Sequence, residues 1–232
     1  IRERSVSRGL GDVYKRQAEQ DLPSLDARLS MFSLCIKHLT NAGYVYIGMD
    51  HFAKPTDDLA IAQRQGRLHR NFQGYSSHAE HNLVAFGVSG ISAVAATYSE
   101  NAKTLDEYYE RIEQNELPIV TGVKLSMDDL LRRIIIQMLM CNFELSIESI
   151  QLAYPITFNT YFAAELEKLC ELEENGLVTV NEAWISVTPK GRLLIRNVCM
   201  VFDRYLTSAC EAKTGGVSAK IETQPLRYTK KI

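Results

Sequence analysis

The stretch Asn41-Ala-Gly-Tyr-Val-Tyr-Ile47 indicates the fold class of this 232-residue chain. Gly43 suits the left-handed position that ends a helix, and Tyr44–Ile47 is typical of a short buried strand. Before this stretch, apolar side chains recur every three or four residues, as on one face of a helix. They are Leu25, Leu29, Phe32, Ile36 and Leu39. A helix, a glycine and a strand form half of an α/β repeat, so we expect a parallel sheet.

Polar residues follow this strand. The segment Gly48–Pro55 lies where the strand should end, and α/β folds place their chemistry at the carboxyl ends of strands. Asp50 and His51 could form an oriented acid–base or substrate-binding pair there. The alternative is a histidine that only hydrogen-bonds to its own loop.

Up to Pro118, the pattern predicts further helices and strands. We expect a helix over 57–65, a polar connection over 66–77, a strand over 83–88, a helix around 91–98 and a Thr104-capped helix that ends near Glu116.

After Pro118 the chain becomes mainly helical, and Ser126 begins a capping box. We expect helices over 126–140, 146–152 and 159–174, a β-hairpin over 177–187 and a long helix from Thr188 to about Leu206. This order is that of a winged helix, which suggests DNA binding. Arg192 and Arg196 could hold phosphates or carboxylates, or could be only the solvated edge of a packed helix.

The seven residues His69–Tyr75 combine two basic side chains, two amides and two aromatic rings. A core strand would not tolerate so many polar groups, so a binding loop is the better interpretation. Arg70 could hold a carboxylate in a fork geometry, and Phe72 and Tyr75 could stack on a flat ring.

Charge and cysteine content argue against several classes of protein. The net charge is −2, and residues 1–17 contain five basic and two acidic side chains, so the remainder carries −5. This charge argues against a general nucleic-acid binder. The five cysteines form no CxxC or CxxxCxxC, so no local zinc or iron–sulfur clamp is encoded. His78 and His81 lie three residues apart, and no third metal ligand is evident beside them.

The first 17 residues, Ile1–Gln17, have neither helical nor strand periodicity. They resemble translated adaptor or cloning sequence, and we leave them out of the fold prediction. The alternative is a native flexible arm.

Four stretches resemble one family, the oxygen-independent coproporphyrinogen III oxidases. They are AGYVYIGMDHFA at 42–53, LHRNFQGY at 68–75, FGVSGIS at 86–92 and KGRLLIRNVCMVFD at 190–203. The family usually has alanine at the position of Gly90. The resemblance extends from Gln20 to Asp203, and the end, RYTKKI, is similar too. The related heme chaperones share the first stretch loosely and lack the RNFQGY loop.

The resemblance implies an α/β fold. Residues 18–120 would form the end of an open radical-SAM α/β barrel, and residues 121–206 would form a mainly helical, winged-helix-like lid domain before a polar tail at 207–232. The expected protein is a cytoplasmic monomer with neither nucleic acid nor membrane as a partner. It would use S-adenosyl-L-methionine, a [4Fe–4S] cluster and an electron donor.

The activity that the resemblance implies belongs to heme biosynthesis. Coproporphyrinogen III is converted to protoporphyrinogen IX when two propionate side chains lose carbon dioxide and become vinyl groups. Because CxxxCxxC is absent from this sequence, we expect the chain alone to be inactive. The alternatives are a heme chaperone of the same family and a winged-helix binding module.

Two residues match cofactor-contacting positions of the family by motif. Ile91 matches the residue that packs against S-adenosyl-L-methionine, and Phe72 matches an aromatic residue near a second cofactor molecule. Asp50, His51 and Arg70 are the candidates for the substrate, because a tetrapropionate needs cationic and hydrogen-bonding groups around it.

Overall fold

The computed structural model describes residues 22–78 and 82–206. The segments expected at 1–17 and 207–232 lie outside these ranges, as does His81. The described residues form two compact units, the first ending at Gln65 and the second beginning at Gly66. Within these ranges, no helix is both long and apolar enough to cross a membrane.

The first unit begins with the predicted helix. Helix α1 (Leu25–Asn41) starts where Ser24 Oγ accepts a hydrogen bond from Ala27 N at 3.2 Å, and it ends before Gly43, which has φ +85°. Strands β1 (Val45–Gly48) and β2 (His51–Ala53) follow, and then helix α2 (Asp58–Arg64), which Asp57 caps.

The expectation of a parallel sheet is not met by the described strands, because each of their pairs is antiparallel. Strand β1 turns back at once into β2, with Val45 opposite Ala53. The turn is possible because Gly48 and Met49 adopt positive φ angles of 152° and 52°. A helix followed by glycine and a strand therefore leads here into a hairpin.

Aromatic rings pack helix α1 against this hairpin. The ring centroids of Phe32 and Tyr46 lie 6.4 Å apart, and those of Tyr46 and Phe52 lie 5.2 Å apart. Ile47 is fully buried, and its carbonyl oxygen accepts a hydrogen bond from Gln63 Nε2 in α2 at 2.7 Å.

The second unit starts with two hairpins. Strands β3 (His69–Asn71) and β4 (Gly74–Ser76) pair within the expected polar connection. Strands β5 (Ile91–Val94), β6 (Thr97–Asn101) and β7 (Ile119–Lys124) form a sheet in that order, with helix α3 (Leu105–Glu113) before β7.

Two predictions for this region were wrong. The segment 91–98, which was expected to be a helix, forms the β5–β6 hairpin. Its alanines lie among Ile91, Val94, Thr97 and Tyr98, which are residue types that favour strands. The hairpin turns at Ala95, where φ is 50°. Of the expected strand 83–88, the structure pairs only Leu83, which bridges to Ala93.

The remainder is helical around a small sheet, as predicted. The helices are α4 (Met127–Asn142), α5 (Ile147–Ala153), α6 (Phe158–Tyr161), α7 (Ala163–Glu174), α8 (Pro189–Leu193) and α9 (Ile195–Met200). The strands are β8 (Glu144–Ser146), β9 (Val178–Val180) and β10 (Trp184–Val187), in the order β8-β10-β9. The capping box at Ser126 is confirmed, but the long final helix is interrupted at Leu194.

Helix α4 supplies much of the core. Its Leu131, Ile135 and Leu139 are buried. Behind it, the rings of Phe162 and Phe202 meet with centroids 5.6 Å apart. The next fully buried ring, Phe158, lies 4.9 Å from Phe162.

Gly191 allows helix α8 to pack against the end of α7. Thr188 Oγ1 accepts from Gly191 N at 3.0 Å and donates to Gly176 O at 2.7 Å, which holds the helix start in place. A Cβ at position 191 would overlap the carbonyl oxygen of Leu177.

We therefore expect Gly191→Ala to lower the free energy of unfolding by about 2 kcal/mol or more, because backbone must move to make room. Urea denaturation of the chain measures this change. The neighbouring exposed substitution Lys190→Ala is the control, expected to cost less than about 1 kcal/mol. Equal stability of the two variants would contradict the packing described here.

Candidate functional site

The second unit contains a cavity of about 670 Å³. Its walls are strand β3 with the turn that follows, the β5–β6 hairpin, one face of helix α4 and residues 202–205. This volume lies within the range of roughly 300–1,000 Å³ that small-molecule sites occupy.

Helix α4 holds strand β3 through one side chain. Gln137 Oε1 accepts a hydrogen bond from Arg70 N at 3.0 Å, and Gln137 Nε2 donates to Arg70 O. The amide thus bonds to both backbone groups of one residue, as a neighbouring strand would. Tyr75 OH in β4 donates to Met140 O at 3.3 Å, which makes a second attachment.

Arg70 is one of the residues that line this cavity, and part of the hydrogen-bonding capacity of its side chain is unused among the described residues. Its guanidinium carbon stacks 4.7 Å from the centroid of the Tyr75 ring. Its Nη1 atom is buried and has no hydrogen-bond partner among the described residues. A buried, unpaired donor is costly, so an acceptor that reached this atom would lower the free energy of the folded chain.

A second arginine reaches the cavity from α4. Arg133 Nη1 donates to Ala95 O at 3.3 Å, and its guanidinium carbon lies 6.0 Å from the Tyr98 ring centroid. The Phe72 ring meets Tyr98 edge-on at 5.3 Å. Burial, and then the charge of Arg133, lowers the pKa of His69, so this histidine is neutral at pH 7.

The other two arginines of the cavity are paired with carboxylates. Arg132 bonds to Asp128 at 3.0 Å and to Glu165 at 2.7 Å, and Arg204 bonds to Asp128 at 2.8 Å. Arg204 Nε also lies 3.2 Å from Asp129 Oδ1, an ion pair without hydrogen-bond geometry. Arg132 also donates to the backbone carbonyl of residue 202 at 3.2 Å. This ion-pair network joins α4, α7 and the segment after α9.

The network lowers the pKa of both aspartates. Burial by itself raises the pKa of Asp128, but hydrogen bonds from Tyr161, Arg132 and Arg204 and the charge of Arg132 outweigh it. For Asp129, burial is likewise outweighed by the hydrogen bonds of Ser126 and by Arg204. Both carboxyl groups are therefore ionised at neutral pH.

The predicted site residues fall in both units. Arg70 and Phe72 line the cavity, and Phe72 remains 47% exposed. Ile91 lies in β5 two residues before Ala93, which lines the cavity, so the two side chains share a face of the strand. In the first unit, His51 Nδ1 lies 2.8 Å from Asp50 Oδ1 at the β1–β2 turn. The expected contact between these two side chains is present, and its role stays a prediction.

Sequence reasoning missed Arg133 and Gln137, because both lie in a helix that was interpreted as core. The signal was present: a glutamine interrupts the apolar run Ile134-Ile-Ile-Gln-Met-Leu-Met140, four residues after Arg133. Residues four apart share a helix face.

The described residues do not fit an iron–sulfur cluster. Within ranges 22–78 and 82–206, no three His, Cys, Asp or Glu side chains converge as metal ligands. Burial, opposed by Arg70, raises the pKa of Cys141 to about 12, and burial also raises the pKa of Cys199. Both thiols are therefore protonated at neutral pH, whereas cluster ligands are thiolates.

Known proteins resemble the chain over most of its length. Residues 125–194 match the profile of the HemN C-terminal domain. The chain is 47% identical to oxygen-independent coproporphyrinogen III oxidase of Synechocystis over 201 residues, which is 85% of this chain and 43% of that protein. It is 46% identical to the Escherichia coli K12 protein of the same name over 194 residues, 84% of this chain and 42% of the relative.

A solved structure gives the same result. The E. coli coproporphyrinogen III oxidase, described as a radical SAM enzyme, superposes with a TM-score of 0.78 at 45% identity, covering 82% of this chain and 44% of that one. The chain thus shares its fold with part of a radical SAM enzyme. It is similar to the oxygen-independent coproporphyrinogen III oxidases over more than four fifths of its own length, and it spans less than half the length of these relatives.

The ion-pair network makes a testable contribution to stability. We expect Arg132→Met to lower the free energy of unfolding at pH 7 by about 3 kcal/mol, because it leaves Glu165 and Asp128 largely buried without their main partner. Arg111→Met, which removes an exposed pair with Glu107, is the control and should cost less than about 1 kcal/mol.

The pH dependence follows from the lowered pKa values. Asp128 and Asp129 contribute their stability fully above the ordinary carboxyl pKa of 3.8, and lose it as the pH falls through their lower folded-state pKa values. The difference between wild type and Arg132→Met should therefore shrink in acid. A difference that stays constant from pH 7 to pH 2 would contradict the network.

Proposed function

We propose that this chain forms part of an enzyme that converts coproporphyrinogen III to protoporphyrinogen IX without oxygen, in heme biosynthesis. The observation that carries the proposal is the 46–47% identity, over more than four fifths of the chain, to curated proteins with this name. The proposed enzyme works in the cytoplasm as a monomer and receives electrons from a separate donor.

The proposal assigns the radical chemistry to groups that the described residues do not hold. A [4Fe–4S] cluster with S-adenosyl-L-methionine would supply the oxidising radical. The chain's own contribution is to bind and orient. Ile91 and Phe72 are proposed to contact S-adenosyl-L-methionine, which is consistent with the half-exposed Phe72 ring and with Ile91 lying on the cavity side of β5.

The proposed substrate contacts are Arg70, Asp50 and His51. The charge of Arg70 suits a propionate carboxylate, and its Nη1 has no hydrogen-bond partner within the part of the chain that the structure describes. The Asp50–His51 hydrogen bond orients an imidazole that can exchange a proton or bind an anion.

We also propose that residues 121–206 act as a lid over the substrate and not as a DNA reader, with residues 18–120 as the end of an open barrel. The environment of Arg192 supports the assignment as a lid. Arg192 stacks 4.5 Å from the Phe143 ring centroid, so its charge lies against the domain itself, and the body of the chain is acidic.

A chimaera tests the proposed activity. The upstream part of the E. coli oxidase is joined to residues 20–232 of this chain, and anaerobic formation of protoporphyrinogen IX is measured with S-adenosyl-L-methionine and a reductant. We expect the chimaera to be active, and Arg70→Gln to lower kcat/KM about tenfold or more, because a charge-assisted hydrogen bond is lost. Arg196→Gln, an exposed arginine, should leave it unchanged.

The 232-residue chain alone serves as the negative control. Reconstituted with iron and sulfide, it should show no four-iron absorbance and form no 5′-deoxyadenosine. A chimaera that folds and binds its cluster yet makes no product would refute the proposed activity. A cluster in the chain alone would refute the assignment of the radical chemistry to groups held elsewhere.

A further inference from the structure

We propose that Gln137 is a positioning residue, which fixes the β3–β4 hairpin to helix α4 and thereby sets the place of the Phe72 ring in the cavity. The inference rests on the proposed function for the identity of the ligand that Phe72 contacts, S-adenosyl-L-methionine. The attachment of the hairpin itself follows from the hydrogen bonds of the described residues.

The side-chain amide of Gln137 is committed to the backbone of strand β3. Its Oε1 accepts a hydrogen bond from Arg70 N at 3.0 Å, and its Nε2 donates to Arg70 O. Burial raises the pKa of Cys141 to about 12, so this thiol is protonated, and its Sγ lies 3.6 Å from the same Oε1. Two donors therefore face Oε1, which fixes the end of the amide that carries the oxygen. Gln137 thus acts on a ligand through the hairpin.

The hairpin carries this attachment to Phe72. In the turn, Asn71 Oδ1 accepts hydrogen bonds from Gln73 N at 2.9 Å and from Gly74 N at 3.2 Å. The turn that contains Phe72 is therefore closed by a side chain as well as by the pairing of the two strands. Phe72 lies two residues after Arg70, the residue that the amide holds. A displacement of strand β3 would therefore displace Phe72 with it.

The other strand of the hairpin has a longer link to the same helix. In β4, Tyr75 OH donates to Met140 O at 3.3 Å, which exceeds the ordinary length of an O–H···O hydrogen bond. With both links, the hairpin is held at two points of α4. Without the Gln137 amide, it would be free to pivot about Tyr75.

Burial does little to fix the Phe72 ring. The residue is 47% exposed, and its ring meets the Tyr98 ring edge-on, with centroids 5.3 Å apart. Both residues line the cavity. A half-exposed ring takes its position from the backbone that carries it, so the contact that Phe72 offers to a ligand depends on how the hairpin is held.

This arrangement gives the helical domain a role beyond that of a lid. Helix α4 lies within residues 125–194, the part of the chain that matches the HemN C-terminal domain. Through Gln137 this domain would position a contact to S-adenosyl-L-methionine that lies outside it, at the tip of the β3–β4 hairpin.

A fluorine label at position 72 tests the positioning without any ligand. Trifluoromethylphenylalanine is incorporated there in the 232-residue chain, and its ¹⁹F resonance reports the surroundings of the ring, because the Tyr98 ring current shifts it. Gln137→Met keeps the length of the side chain and removes both hydrogen bonds, so we expect the resonance to move toward its position in the unfolded chain. Gln137→Glu keeps the acceptor for Arg70 N and should give a smaller shift.

Gln151→Met is the matched control. Gln151 Oε1 accepts a hydrogen bond from Phe158 N at 2.9 Å, so this substitution also removes a bond between a glutamine and the backbone of another helix. A general loss of stability would act in both variants. The resonance at position 72 should nevertheless stay in place in Gln151→Met and move in Gln137→Met.

Binding of S-adenosyl-L-methionine tests the consequence for the ligand. The chimaera is reconstituted with its cluster and kept without reductant, so that the radiolabelled cofactor is not cleaved during equilibrium dialysis. We expect Gln137→Met to raise the Kd about threefold or more, the scale of one lost hydrogen bond, and Gln151→Met to leave it unchanged.

The outcomes distinguish this inference from the proposed function. An unchanged resonance in Gln137→Met overturns the inference. A shifted resonance with the wild-type Kd also overturns it, because Gln137 would then have a structural role alone. A chimaera that shows both effects and makes no protoporphyrinogen IX refutes the proposed function and leaves the inference standing.

Discussion

The pairing of the Gln137 side chain with the backbone of Arg70 determines how the second unit is organised. A three-residue strand in a two-stranded hairpin has little stability of its own. One amide on helix α4 satisfies both the N–H and the C=O of Arg70, so the hairpin is held against a helix instead of a third strand. The position of strand β3, and with it one wall of the cavity, follows from this contact.

Ion pairs hold another wall of the cavity in place. Arg132 and Arg204 connect the start of α4 to Glu165 in α7 and to residues 202–205. Buried ion pairs contribute less to stability than their number suggests, since desolvation offsets much of the attraction. Their geometry is nevertheless specific, because removing one partner leaves another charge buried. Helix α4 is thus fixed at both ends of the cavity, by an amide at one end and by carboxylates at the other.

Local signals in the sequence predicted the helices well. Ser24, Thr104 and Ser126 each cap the helix expected to follow them, and the 177–187 hairpin forms as predicted. These features depend on neighbouring residues alone. The direction of strand pairing does not, because the same apolar run Val45–Gly48 can pair in a parallel sheet or in a hairpin.

Only some of the residues that line the cavity could be predicted from the sequence, for a related reason. Arg70 and Phe72 were identified because polar and aromatic residues crowd into one short segment. Arg133 and Gln137 lie more than sixty residues away in a helix whose apolar content indicates core. Only the folded chain shows that they face the same cavity as Arg70. The small residues of 91–98 misled the prediction in another way, since alanine is compatible with helix as well as with the β5–β6 hairpin.

A crystal structure of the chain with coproporphyrin III tests the central claim most directly. The account predicts a propionate oxygen about 2.7–2.9 Å from Arg70 Nη1, with Gln137 still bonded to strand β3. A structure in which the porphyrin lies elsewhere, or in which Arg70 Nη1 bonds only to water beside the bound ring, would contradict it.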